Sequence, residues 1–313
     1  MDRGQTYRRI IRSVGIADVI AGILACSFIL GGQAFGQDTI KIALVDAEAK
    51  TVKESTKGKL ELDREYVKGD KIVISGDDWL DSMELVVKVD EHYAETILYA
   101  PKKTVPDRPK IEFTIPLWLE GWHNDISPYP PEAFKGKKHV ITARPATKEE
   151  INAYRNFALN PMDHRGISTY FPHATSNSEW GDAALYAARN AIDGFVEATG
   201  DHHTWPRQSW GPYRPADHPD PQLTIEFGRP VEVDKLVVVV RHNDNQYNHW
   251  KDVTVEFSDG SEVEINPKYS GERQEFPIKK RVVTGMRFCD MVAEVAGGYA
   301  AFVEVEAWGK PAK

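Results

Sequence analysis

Cysteine is nearly absent: the 313 residues hold two, Cys26 and Cys289. That excludes a disulfide scaffold and a Cys-x-x-Cys metal or redox motif. Positive charge is also short, with 39 Lys and Arg against 47 Asp and Glu and a formal net charge of −8. Nothing here neutralises phosphates in bulk, so no nucleic-acid partner is expected. There is no Gly-x-Ser-x-Gly and no His-Glu-x-x-His in the chain, which removes the usual hydrolase nucleophile turn and the helical zinc-protease pair. There is no internal repeat and no low-complexity tract. Only one apolar run is long, Val14 to Gly32, and only Asp18 breaks it.

That run follows Arg3, Arg8, Arg9 and Arg12 and precedes Ala34-Phe35-Gly36. Basic start, apolar middle and small residues at the end are the pattern of a secretory signal peptide, here 1–36 with cleavage after Gly36. Two alternatives stand beside it: a membrane anchor, because the run is long, and a lipoprotein, because Ile23-Leu24-Ala25 precedes Cys26. Export with cleavage, to a secreted or periplasmic location, is the expectation, with no membrane span in the mature chain. Losing four arginines and two aspartates takes the formal net charge from −8 to −10. Cys289 then stays as a lone thiol between Phe288 and Asp290, and is expected to be core.

The rest reads as strands. Thr39 to Val45, Lys71 to Ile74, Glu84 to Val89, Thr96 to Tyr99, Ile111 to Ile115 and His139 to Ala143 carry alternating or apolar patterns. Short strands at close spacing, with no helices between them, predict an N-terminal antiparallel β-sandwich over 37–146. The long connection Pro116 to Phe134 holds Trp118, Trp122, His123, Asp125 and Tyr129. Thr147-Lys148-Glu149-Glu150 predicts a capped helix through Tyr154, inside a helical linker over 147–167. Glu179 to Ala191 spaces Trp180, Ala184, Ala187 and Ala191 as a helix packed on a sheet. Strands return at Gln222 to Phe227, Val233 to Arg241, Val253 to Phe257, Glu262 to Ile265, Val282 to Phe288 and Phe302 to Trp308. The Asp259-Gly260 turn signals a hairpin. The fold class is all-β, two β-sandwiches, the second over 168–313.

Several stretches could carry chemistry. Residues 200 to 213, GDHHTWPRQSWGPY, crowd two histidines, two tryptophans, an arginine and a tyrosine together. Neighbouring side chains on an extended segment point to opposite sides, so His202 and His203 do not suit one zinc ion. Sugar recognition uses such residues differently. Pyranose C–H faces stack on flat rings, and hydroxyls take hydrogen bonds from Arg, Asn, Asp and His. Two loops supply that set: His202, His203, Arg207, Trp210 and Tyr213 in one, and Arg241, Asn243, Asp244, Tyr247, His249 and Trp250 in the other. Against this, Trp205, Trp210 and Trp250 could be core or edge anchors.

Five stretches in order carry a resemblance: Arg189 to Gly194 (RNAIDG), Thr204-Trp205, Leu223 to Gly228 (LTIEFG), Val253 to Gly260 (VTVEFSDG) and Phe302 to Gly309 (FVEVEAWG). From about Ser168 to Gly309 the chain resembles the discoidin, or coagulation-factor C-terminal-type, family of galactose-binding-like carbohydrate-binding modules. The resemblance implies a jelly roll with ligand loops at one end and a structural calcium beside them. It would be held by Asn190 and Val303 through backbone carbonyls, by Asp193 and Glu304 through carboxylates, and by Thr204. The loop between Asp193 and Thr204 is longer than in the family, which puts Thr204 in question and makes Asp201 an alternative. Asp193 could equally cap the turn before Gly194.

The expected function is a secreted, non-catalytic protein that binds polysaccharide or glycan. One alternative is a glycan-degrading enzyme, with Trp118, Trp122, His123 and Asp125 facing the second domain's loops. Another is an adhesion or scaffold module, since one fold hosts many functions.

Overall fold

The computed structural model describes residues 40–76, 83–101, 110–117, 132–166, 168–179, 186–196, 210–211, 220–242, 248–296 and 298–312. The expected leader over 1–36 lies outside them.

Among the described residues the first half forms eight antiparallel strands, most of them marked by apolar alternation. They are β1 (Lys41–Val45), β2 (Thr51–Ser55), β3 (Lys59–Asp63), β4 (Lys71–Ser75), β5 (Met83–Lys88), β6 (Thr96–Ala100), β7 (Lys110–Thr114) and β8 (Lys138–Pro145). One sheet runs β2-β1-β4-β7 and the other β3-β8-β5-β6. Ile42, Leu44, Ile72, Ile74 and Phe113 of the first share a core with Leu60, Leu62, Leu85, Leu98 and Ile141 of the second. Two strands went unseen in the sequence. β2 is an edge strand exposed along nearly its whole length, so its polar sequence TVKES carries no alternation to read. β3 does alternate, with Leu60 and Leu62 buried between charged neighbours, and that signal was there to find.

A capping box closes the end of this sandwich. Thr147 Oγ1 accepts from the Glu150 backbone N–H at 3.2 Å, and Glu150 accepts from the Thr147 N–H at 2.8 Å. Arg144 adds a two-pronged ion pair to Glu150 at 2.6 and 2.7 Å. The helix α1 covers only Lys148–Asn152 and buries nothing, so it ends short of Tyr154: packing, not capping, sustains longer helices.

The connection beyond α1 is no free linker. β9 (Arg155–Asn156) pairs with the last strand, and β10 (His173–Ser176) pairs with β11 (Leu223–Val240). Among the described residues a third sheet, in the second half, runs β13-β12-β14-β11-β15-β9, with β12 (Trp250–Phe257), β13 (Glu262–Ile265), β14 (Gln274–Ala293) and β15 (Phe302–Pro311). The sequence predicted separate strands before and after Gly228-Arg229-Pro230. The chain instead keeps β11 continuous and shifts register between Glu226 and Val231. Gly228 has φ +69°, and a Cβ there would collide with the Phe171 ring. Its first half pairs with β10 and β14, its second with β14 and β15. Ile225, Phe227, Val238, Val255, Phe288, Phe302 and Val305 fill the core. The helix expected over Glu179 to Ala191 appears only as a 3-10 turn, Ala188–Ala191; residues 180–185 lie outside the described set.

The two sandwiches meet directly. Tyr99 and Phe171 exchange backbone hydrogen bonds at 2.9 Å each way. Thr96 Oγ1 donates to the Leu159 carbonyl at 2.9 Å, and the Tyr170 hydroxyl reaches the Met162 and Glu112 carbonyls at 2.8 and 3.2 Å. Met162 and Tyr170 are buried in the core of the first sandwich. Arg229 completes the junction with an ion pair to Glu84.

Candidate metal centre and loop-end face

The 3-10 turn delivers Asn190, fully buried, and then Asp193. Gly194 follows at φ +79°, where a Cβ would stand 2.7 Å from Leu159. That left-handed turn aims its N–H at Glu304 Oε2, 3.0 Å away on β15. Asp193 Oδ1 accepts from the Phe195 N–H at 2.8 Å. Each carboxylate is thus half satisfied. Asp193 Oδ2 and Glu304 Oε1 are buried without a donor.

Burial raises the pKa of both acids, and the charge of Asp193 raises Glu304 further. Two neighbouring buried carboxylates are tolerable only if they are protonated or share a cation. Hard oxygen donors suit calcium. Val303 fits the same set. The β15–β11 register jumps from Glu304–Val239 to Phe302–Val240 and leaves Val303 as the extra residue of a bulge. Among the described residues no group of three His, Cys, Asp or Glu converges, so a cation here needs carbonyl oxygens as well. Thr204 and Asp201 lie outside the described residues.

The expected sugar loops fare differently. His202, His203, Arg207, Tyr213, Asn243, Asp244 and Tyr247 lie outside the described residues, as do Trp118, Trp122, His123 and Asp125. The four loop residues that are described are all buried, which corrects their reading as contact groups. Trp210 has no exposed surface. It bridges to Phe302 through two backbone hydrogen bonds, its ring lies parallel to Phe302 at 6.3 Å, and its Nε1 donates to the Ser178 carbonyl at 3.0 Å. Trp250 is 1% exposed. Neither ring offers a face to a sugar; both are core anchors under the loops. His249 is tied through Nε2 to the Pro267 carbonyl at 3.0 Å.

Arg241 is also buried, at 2% exposure. Its backbone N–H donates to the Ala301 carbonyl at 2.9 Å and its guanidinium to that of Tyr299. Burial pulls its pKa down to about 10, against the opposing pull of Tyr186, Tyr269 and Tyr299. The group remains charged at neutral pH. Above it, the exposed His242 stacks on Tyr269 with ring centroids 4.4 Å apart and planes tilted by 37°. Tyr269 also lies 5.7 Å from the His249 ring. The sequence reading missed Tyr269 and Tyr299. Tyr269 sits in the turn PKYSG, remote in sequence from the other loops, and only strand pairing brings it to His242.

No family description matches the sequence, and no curated protein matches it either. Solved structures do. The chitosan-binding module 1 of a chitosanase/glucanase from Paenibacillus sp. IK-5 is 18% identical, with a TM-score of 0.35, over 50% of this chain and 99% of that one. A family 32 carbohydrate-binding module of C. perfringens, solved with galactose, is 15% identical, with a TM-score of 0.33, over 43% and 91%. An F5/8 type C domain from Bacteroides fragilis is 17% identical, with a TM-score of 0.35, over 44% and 91%. Each of the three is matched over about half of this chain or less.

Proposed function

We propose that this chain is an exported, non-catalytic glycan-binding protein whose second sandwich engages sugar at its loop end and holds a structural calcium beside it. The observation that carries the reading is the His242–Tyr269 ring pair, next in sequence to the buried Arg241. It combines flat ring faces with hydrogen-bonding groups, which is what a pyranose needs. Asp193, Glu304, the Asn190 and Val303 carbonyls and Thr204 would hold the ion, fixing the loop base from which the face projects. The basic and apolar residues 3–36 support export.

Affinity electrophoresis through gels carrying different polysaccharides, with calcium present, tests the reading. At least one polysaccharide should retard the protein, and Tyr269→Ala should reduce the retardation while leaving the circular dichroism spectrum intact. No retardation by any polysaccharide overturns it. N-terminal sequencing of the exported protein should begin at Gln37.

A further inference from the structure

A second concave site is lined by β10 and shares no residue with the loop-end face. It is a cavity of about 630 Å³, within the range of small-ligand sites. Arg165, Phe171, His173, Thr175, Glu179 and Glu226 are among its walls. None of them belongs to the proposed calcium site or to the His242–Tyr269 face.

The floor is rigid for a physical reason. Asp163 is wholly buried and accepts from the Ala174 N–H at 2.8 Å through one oxygen, and its other oxygen accepts from the His173 Nδ1–H at 2.7 Å. This locks β10 in place. At the mouth, Glu179 has only 8% of its side chain exposed. It accepts from the Ala188 N–H at 2.8 Å and pairs with Arg165 at 2.7 Å. The guanidinium is therefore held at a fixed place while 66% of the Arg165 side chain remains exposed. Glu226 stands directly across the ladder from His173. It is exposed, and no cation pairs with it among the described residues. Phe171, packed on Gly228, supplies the aromatic wall.

We infer that this cavity is a second binding site for an uncharged sugar unit, gripped between the Arg165 fork, the Glu226 carboxylate and the Phe171 ring. Adjacent hydroxyls can accept from the guanidinium and donate to the carboxylate. The charge balance sets the ligand class. Arg165 and His173 are each already matched by a buried acid, which leaves the Glu226 charge in excess. Anionic sugars are therefore repelled.

The two sites share no residue, so they are separable. The test uses the full protein carrying Tyr269→Ala, which removes the loop-end face. Glucose, galactose and glucuronate are titrated while the amide signals of Gly166, Ala174 and Thr175 and the Arg165 Nε–H signal are followed by NMR. At least one of the neutral sugars should shift these signals and glucuronate should not. Glu226→Ala, an exposed change that leaves the floor intact, should weaken binding roughly tenfold or more, as for a lost hydrogen bond to a charged group. Arg165→Gln should do the same. Absence of shifts with both neutral sugars, equal shifts with glucuronate, or undiminished shifts in Glu226→Ala each overturn the inference. Failure of gel retardation in the unsubstituted protein would bear on the loop-end reading alone.

Discussion

Two buried pairs in the second half of the chain place a carboxylate against a partner, and they solve the same problem oppositely. Asp163 faces His173, and both of its oxygens have donors. Asp193 faces Glu304, and each keeps one oxygen without a donor. The first pair is closed on the side of the acid, where donor meets acceptor and protonation of the ring makes a neutral ion pair; only His173 Nε2 keeps no hydrogen-bond partner. The second is open, because two like charges cannot satisfy each other at any spacing. Buried polarity alone therefore does not mark a site. What marks it is an unmatched remainder of acceptors, which a proton or a shared cation can complete.

Breaking the closed pair should have the largest effect. Asp163→Ala strands the His173 ring and the Ala174 N–H in the interior, and removing one member of a buried pair costs about 3–5 kcal/mol. Urea unfolding should show the loss as a lower midpoint. A change no larger than that of a surface substitution would mean that the pair is not closed.

The open pair should respond to metal. Calcium at a hundredfold excess over its dissociation constant should stabilise the fold by about 2.7 kcal/mol, seen as a melting temperature that falls when chelator is added. Glu304→Gln should erase that calcium dependence. In chelator the same variant should be as stable as the unsubstituted protein or more so, because it removes one of two buried acids that each keep an oxygen without a donor. A Glu304→Gln protein that still responds to calcium would place the ion elsewhere.

Acidity gives the smallest effect and distinguishes the closed pair again. Burial opposes the charged His173 ring, but the hydrogen bond and charge of Asp163, helped by the Gly166 carbonyl and Glu226, outweigh it and raise the ring's pKa. A histidine whose pKa is higher folded than unfolded adds stability that is fully present below about pH 6.5, its ordinary value. That contribution is lost as pH rises through the higher folded value. Urea midpoints of the unsubstituted protein should therefore fall across that window relative to those of Asp163→Ala. Parallel pH profiles would show that the ring does not titrate against Asp163.

How much of this was legible in the sequence depends on whether the signal was local. Leu85, Val87, Ile141 and Phe257 announced their strands because alternation is a property of consecutive residues. β2 did not, since an edge strand buries nothing that would mark it. Asp193 and Glu304 were paired only through a family resemblance, being 111 positions apart in the numbering. Trp210 and Trp250 misled in the other direction. Aromatic residues amid polar ones look exposed on paper, yet both rings are core. Asp163 and His173 raised no signal, because an acid and a histidine ten residues apart are ordinary in any chain.

The all-β character, the acidic balance, the lack of disulfide support and the basic, apolar start are all readable along the chain. These follow from composition and from nearest-neighbour pattern. Tertiary structure alone decided which rings face water, which acids share an interior and which of them lack a partner. Those are relations across strands, fixed by register and by bulges such as the one at Val303, and no residue carries them individually.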